Sequence, residues 1–369
     1  MKRLILFACM ACTLLVAQSR NKTSKVKFPL IPVAADSVTI EDFFWYGQLQ
    51  EAQKVCPQLK ANPWNVDHRK HLHALSADWQ EKVNHLDLTG RVKTETQKDE
   101  LHSAVDIVKQ SAYLALATGQ SKYADIMETS LYNGVCGWQN SDNPDNVHLA
   151  SQTLADMSGY AFATSKEHLF VNLYITSEMH VKNKQLDVKM MTTTSTPWYY
   201  QMMFQFLFPR GKEEHMVLHL RMPNWLSNNI LPNFKYNHYQ LKYSLLLNGI
   251  ALKPEMKDGY IVLDRVWCDS DILQLLLPTP IRRVTLANNY NEVALQKGPL
   301  LYSFISIPEN TFIKAIDPIH SDFDKHRHTN TLSGKCYDDS MHVAGSFRAE
   351  PYLFNRKNKE ARIFIPFKP

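Results

Sequence analysis

Glycine is scarce in this chain, with 12 in 369 residues, and no heptad of apolar residues persists. Collagen-like and coiled-coil architectures are thereby excluded. Charge of one sign is also missing: 41 Lys and Arg stand against 36 Asp and Glu. The excess is spread along the chain, and the basic runs at 22–27 and 356–359 are short, so no nucleic-acid partner is expected. None of the four cysteines beyond residue 17 stands in a CxxC pair. HExxH, P-loop, GxGxxG and GxSxG motifs are absent too, which removes the commonest enzyme classes legible from sequence. No apolar run reaches the ~20 residues of a membrane-spanning helix. What is present is 44% hydrophobic residues with 16 Tyr, 17 Phe and 7 Trp, enough to bury a core and to exclude wholesale disorder.

Residues 1–17 read as an export signal. Lys2 and Arg3 form a basic start, Leu4 to Leu15 an apolar run, and Val16-Ala17 a cleavage site before Gln18. The expected location is secreted or periplasmic. Four cysteines then remain (Cys56, Cys136, Cys268 and Cys336), and their spacing does not say which of them pair, if any.

Two halves of different periodicity meet near residue 160. After an extended lead, Leu72, Leu75, Trp79, Val83 and Leu86 recur at three- and four-residue intervals. Leu101, Ala104, Val105, Val108 and Ala112 do likewise before Gly119, and Tyr123, Ile126, Met127 and Leu131 make a third stripe closed by Asn133-Gly134. A last helix is expected over Val147 to Met157, with Asp145 or Asn146 as its cap. From Tyr160 onward the period is two, as in Leu169, Val171, Leu173 and Ile175. Met216–Met222, Ser244–Leu247, Tyr260–Asp264, Ile272–Leu277 and Ile281–Leu286 read as further strands, and Asn248-Gly249 as a two-residue hairpin turn. The expected fold class is α+β and multidomain, with helices to residue 160 and an antiparallel β-sandwich over 161–305. The segment 306–369, rich in Asp, His, Ser and Thr, reads as loops ending in a strand over Arg362–Phe367.

Several phrases resemble glycoside hydrolase family 127, whose best-known members are β-L-arabinofuranosidases. They are Thr118-Gly-Gln-Ser-Lys-Tyr-Ala-Asp125, Met127-Glu-Thr-Ser-Leu-Tyr-Asn-Gly134, Gly159-Tyr-Ala-Phe-Ala-Thr164 and Leu169-Phe-Val-Asn-Leu-Tyr-Ile175. Leu220-Arg-Met-Pro-Asn-Trp225, Arg265-Val-Trp267, Val293-Ala-Leu-Gln-Lys-Gly-Pro-Leu-Leu-Tyr302 and Pro351-Tyr-Leu-Phe-Asn-Arg356 continue the order. The resemblance implies an (α/α)6 barrel followed by β-sandwich domains. Twelve helices with their connections need roughly 180–190 residues. The stretch from Gln18 to Ser165 is shorter, so five to seven helices, a partial barrel, are expected.

The resemblance also implies a reaction: a zinc-held cysteine thiolate attacks the sugar and a glutamate serves as acid and base. The metal ligands would be a Glu-x-Cys at a helix start and an adjacent Cys-Cys pair. Counted from the neighbouring phrases, the first falls on Glu100-Leu101-His102 and the second on Asp145-Asn146 or Asp142-Asn143. No thiol stands at any of these positions, and Cys136 lies outside both registers. Glu100 and His102 are therefore the candidate metal ligands, and no zinc is expected to be held. Glu100 and Asp145 are the candidate catalytic carboxylates of a two-carboxylate hydrolysis. The blander alternative makes Glu100 and His102 solvated helix-start residues and Asp145 an N-cap. Trp138, Trp198, Trp225 and Trp267 are candidate sugar-stacking rings, or core. His148, His168 and His215 show no partner at ligand spacing. Two functions follow: a family 127-like glycosidase acting on L-arabinofuranose-containing glycans of plant type, with impaired or lost catalysis, or a non-catalytic carbohydrate-binding or structural β-sandwich protein.

Overall fold

The computed structural model describes residues 25–55, 72–93, 100–138, 141–181, 184–192, 196–209, 212–228, 230–240, 242–325 and 328–368. The expected export signal and Cys56 lie outside the described residues. Two short strands, β1 (Ile31–Pro32) and β2 (Val38–Ile40), open the chain. Helices α1 (Phe43–Val55), α2 (Leu72–Asn84), α3 (Glu100–Thr118), α4 (Ser121–Ser130), α5 (Pro144–Ala155) and α6 (Met157–Ala161) follow. Six helices before residue 165, among the described residues, fall within the expected number. The stripe of α3 is buried as the spacing requires: Leu101, Ala104, Val105, Val108 and Ala112 are all at most 3% exposed. Gly119, at φ +66°, stops that helix. Asn133-Gly134 does not close α4. The chain instead winds on through one π turn, Leu131–Val135, before Cys136. The cap of α5 is Asn143, whose Oδ1 accepts from the backbone N–H of Asp145 at 2.9 Å, so neither Asp145 nor Asn146 caps that helix.

Three sheets carry the rest of the chain. In the first, β3 (Phe162–Ser165), β4 (His168–Val171), β8 (Glu213–Arg221), β13 (Tyr260–Cys268) and β12 (Glu255–Lys257) extend β1 in that order. In the second, β11 (Ile250–Ala251), β10 (Ser244–Leu247), β14 (Ile272–Leu277), β7 (Tyr200–Leu207), β6 (Leu186–Thr192) and β5 (Ser177–Val181) run to β2. The Asn248-Gly249 turn joins β10 to β11 as expected, both residues at positive φ. Alternate residues of both sheets, among them Leu218, Leu220, Ile261, Met202, Phe204 and Leu275, share one core. Phe206 of β7 stacks on Trp267 of β13 at 4.0 Å and joins the two faces.

The C-terminal segment corrects the expectation of loops. A third sheet orders β18 (Ile313–Lys314), β22 (Ile365–Lys368), β16 (Asn289–Lys297), β17 (Leu300–Ser306), β21 (Val343–Pro351), β20 (Thr329–Tyr337) and β19 (His320–Asp324), with β15 (Ile281–Leu286) beside β16. Because β16 and β17 pair with β22 and β21, the third sheet draws strands from both sides of residue 305. These strands bury polar residues such as Thr329 and Asn330, which hides the apolar alternation.

His168 and His219 face each other across the parallel pair β4 and β8, Nδ1 to Nε2 at 2.9 Å, with His219 stacked on Phe170 at 4.0 Å. His168 thus has a partner that linear spacing did not reveal. Burial, then His168 and Lys257, push His219 from 6.5 down to about 3. The unfolded chain therefore takes up this proton first as the pH falls, and stability present above about 6.5 is lost on the way to about 3. His219→Gln is expected to flatten that loss: urea unfolding from pH 7 to pH 4 should show a smaller acid decline than wild type. An unchanged slope would mean His219 titrates alike in both states.

Candidate functional site

The site begins with a turn. Asp87 accepts from the Thr89 N–H at 2.8 Å, from the Thr89 hydroxyl at 2.5 Å and from the Arg91 N–H at 3.3 Å. A bridge between Leu86 and Val92 closes it. Arg91 donates through Nε to Thr89 Oγ1 at 2.5 Å, and its Nη1 pairs with the Glu100 carboxylate at the start of α3. Glu100 thus stands in this structure as the counter-ion of Arg91.

His102, the second candidate ligand, lies exposed on the opposite side of the same helix turn, as a two-residue offset on a helix dictates. Asp145 is exposed in the first turn of α5. No hydrogen bond or ion pair joins Glu100, His102 and Asp145 to one another. Asp142 is also exposed and pairs with Lys357 at 2.7 Å.

Cys136 is the thiol nearest this region in sequence. It is fully buried, and its burial pushes the thiol up to about 12 despite the nearby Arg356. With no metal bound it stays protonated at neutral pH, and its burial closes it off from a substrate. Its carbonyl accepts from Arg356 Nε at 2.9 Å, and the Asn133 carbonyl accepts from Arg356 Nη2. The Arg356 guanidinium lies 4.9 Å from the Tyr352 ring and 5.5 Å from the Trp138 ring. Burial, and then the charge of Arg91 set against neighbouring Tyr352, Cys136 and Glu100, leave Arg356 at about 10, below its usual range. Neither arginine was singled out from sequence. The signal was there only for Arg356, which closes the last family phrase.

The zinc that the family resemblance implies does not fit these residues. Among the described residues no three His, Cys, Asp or Glu side chains converge as a metal-binding set. Glu100 is taken by a guanidinium, His102 points away, and the Cys136 thiol is buried outside any such set. The tryptophans sort as core more than as a sugar platform. Trp198, Trp225 and Trp267 are at most 2% exposed, and only Trp138 is part-exposed.

A family profile described as β-L-arabinofuranosidase, GH127 middle domain, matches residues 168–279. The chain resembles glycoside hydrolase family 127. A GH127 β-arabinofuranosidase structure superposes with a TM-score of 0.69 at 16% identity, covering 92% of this chain and 61% of its own. A GH127 β-L-arabinofuranosidase from Geobacillus stearothermophilus T6 gives 0.66 at 18% identity, over 90% of this chain and 61% of its own. A third structure, of a glycoside hydrolase, gives 0.65 at 17%, over 88% and 65%. At such identities the likeness establishes the family 127 fold and nothing finer. This chain spans 61–65% of the length of these solved relatives. No curated protein sequence matches it.

Proposed function

We propose that this is a secreted or periplasmic family 127-like protein of plant-glycan breakdown that has lost the cysteine route of glycoside cleavage. Its six described helices are read as the remnant of an (α/α) barrel, and its ligand as a glycan carrying L-arabinofuranose. The observation that carries the loss of catalysis is the seating of the one described thiol near these residues: Cys136 is fully buried, closed off from a sugar. A thiolate nucleophile needs an electropositive, reachable setting. A two-carboxylate substitute would need its partners about 5–5.5 Å apart for retention. Glu100 instead faces Arg91, and Asp145 faces solvent.

The test is turnover of aryl β-L-arabinofuranosides beside calorimetric binding of arabinan oligosaccharides. Binding without turnover is expected, and Cys136→Ser should change neither. Turnover abolished by Cys136→Ser would overturn the reading. Turnover that survives that change and vanishes in Glu100→Gln would favour an active two-carboxylate enzyme. Failure to bind any arabinofuranose-containing glycan would favour a purely structural β-sheet protein.

A further inference from the structure

We propose that Arg91 is the resident cation of this site: its guanidinium holds the place at Glu100 that a metal ion holds in the resembled family, and so locks the 87–91 turn to the first turn of α3. The inference rests on the family reading for the position of the site and on this chain alone for its occupant. The turn presents Arg91 in a fixed direction. Asp87 gathers three donors from within it, Thr89 Oγ1 holds Nε, and the Leu86–Val92 bridge closes its ends. Below it, Gly90 sits against the backbone of Ser130 and Thr129, so the turn cannot settle elsewhere. The Arg91 and Glu100 side chains are 13% and 32% exposed, which shields the pair from full solvent screening.

A second guanidinium guards the same place. Arg356 is close enough for its ionisation to respond to both Arg91 and Glu100, while its own hydrogen bonds go to the carbonyls of Asn133 and Cys136. The two guanidiniums thus stand beside the Glu100 and Asp87 carboxylates, which are already engaged by Arg91 and by the turn. A divalent ion entering here must displace Arg91 from Glu100 before it gains that ligand. Loss of the thiolates and gain of the arginine are in this view one change. Without an ion, Glu100 needs another partner to remain half-buried.

The experiment uses the full chain. Thermal midpoints are measured with excess zinc and with a chelator for wild type, Arg91→Met, Arg91→Lys, Glu100→Gln and the double variant Arg91→Met/Glu100→Gln. Zinc content after dialysis is measured in parallel. Wild type should show the same midpoint in zinc and in chelator. Each single charge-removing change should lower it by roughly 1–3 °C, and the double variant should lose no more than the worse single one. Arg91→Lys should keep part of the stability, which keeps the proposal testable if Arg91→Met does not fold. Strictly additive losses would overturn the lock. One equivalent of zinc retained by wild type and lost in Glu100→Gln would overturn the replacement of the metal. Neither result touches glycan binding, so failure of the functional reading is separately visible.

Discussion

Replacing Arg221 by methionine is expected to destabilise the protein by about 3–5 kcal/mol, a fall in Tm of about 4–6 °C for a chain of this length. Arg221 ends β8 with no exposed surface, pairing with Asp125 at 2.5 Å and Glu128 at 2.6 Å, both on α4. Its Nε donates to the Asn172 carbonyl. The carboxylates have further donors, the Asn224 N–H at 3.1 Å on Asp125 and the Trp225 indole N–H at 3.1 Å on Glu128. These neutral donors cannot replace a cation. Burial already raises Asp125 to about 6 with Arg221 in place. Without the guanidinium that carboxyl rises further. A group raised in the folded state favours folding as the pH falls toward its unfolded value. The deficit of Arg221→Met should therefore be larger at pH 8 than at pH 5, read by urea unfolding at both. A loss under about 1 kcal/mol at pH 8, the ordinary worth of an exposed pair, would mean the network does not bind the helices to the first sheet.

Period-two alternation was enough to locate β10 and β14, because one face of each packs into an apolar core, while β8 was found as an apolar run buried on both faces. The stripe of α3 was equally legible, since its apolar positions fall on one side of a 3.6-residue turn. The third sheet was not. In β20 the buried positions include Thr329 and Asn330, so burial and hydrophobicity part company there. The site was half legible. Glu100 was found at a helix start, but its partner lies on a turn before it, and only folding brings the two charges together. The same holds for His168 and His219, which meet across parallel strands with β5, β6 and β7 of the second sheet between them in sequence. Side chains whose partners come from distant segments leave no spacing to read. Trp225 and Trp267 illustrate the converse: their indole N–H groups are bound to Glu128 and to the Met216 carbonyl, marks of buried structural rings.

Gly90→Ala is expected to cost at least about 3 kcal/mol, from positive-φ strain together with overpacking, whereas Gly249→Ala should cost about 1 kcal/mol. Both glycines have positive φ, +72° and +82°, so the backbone penalty of adding a side chain is common to the two. Their surroundings differ. A Cβ at Gly249 meets nothing within 4 Å. At Gly90 it would lie 2.7 Å from Ser130 Cα and 2.8 Å from the Thr129 carbonyl oxygen, backbone atoms that cannot swing aside. The opposing surface is just as tight, for a Cβ on Gly134 would lie 2.8 Å from the Gly90 oxygen. The turn must therefore lift away from α4 in the variant, carrying Arg91 with it. Because Arg91 then loses its register with Glu100, Gly90→Ala should also abolish the non-additivity between Arg91→Met and Glu100→Gln. Gly249→Ala, remote from that pair, should leave it intact. Equal losses for the two glycine variants would show that strain in φ alone, and not the seating of the turn on α4, sets the cost.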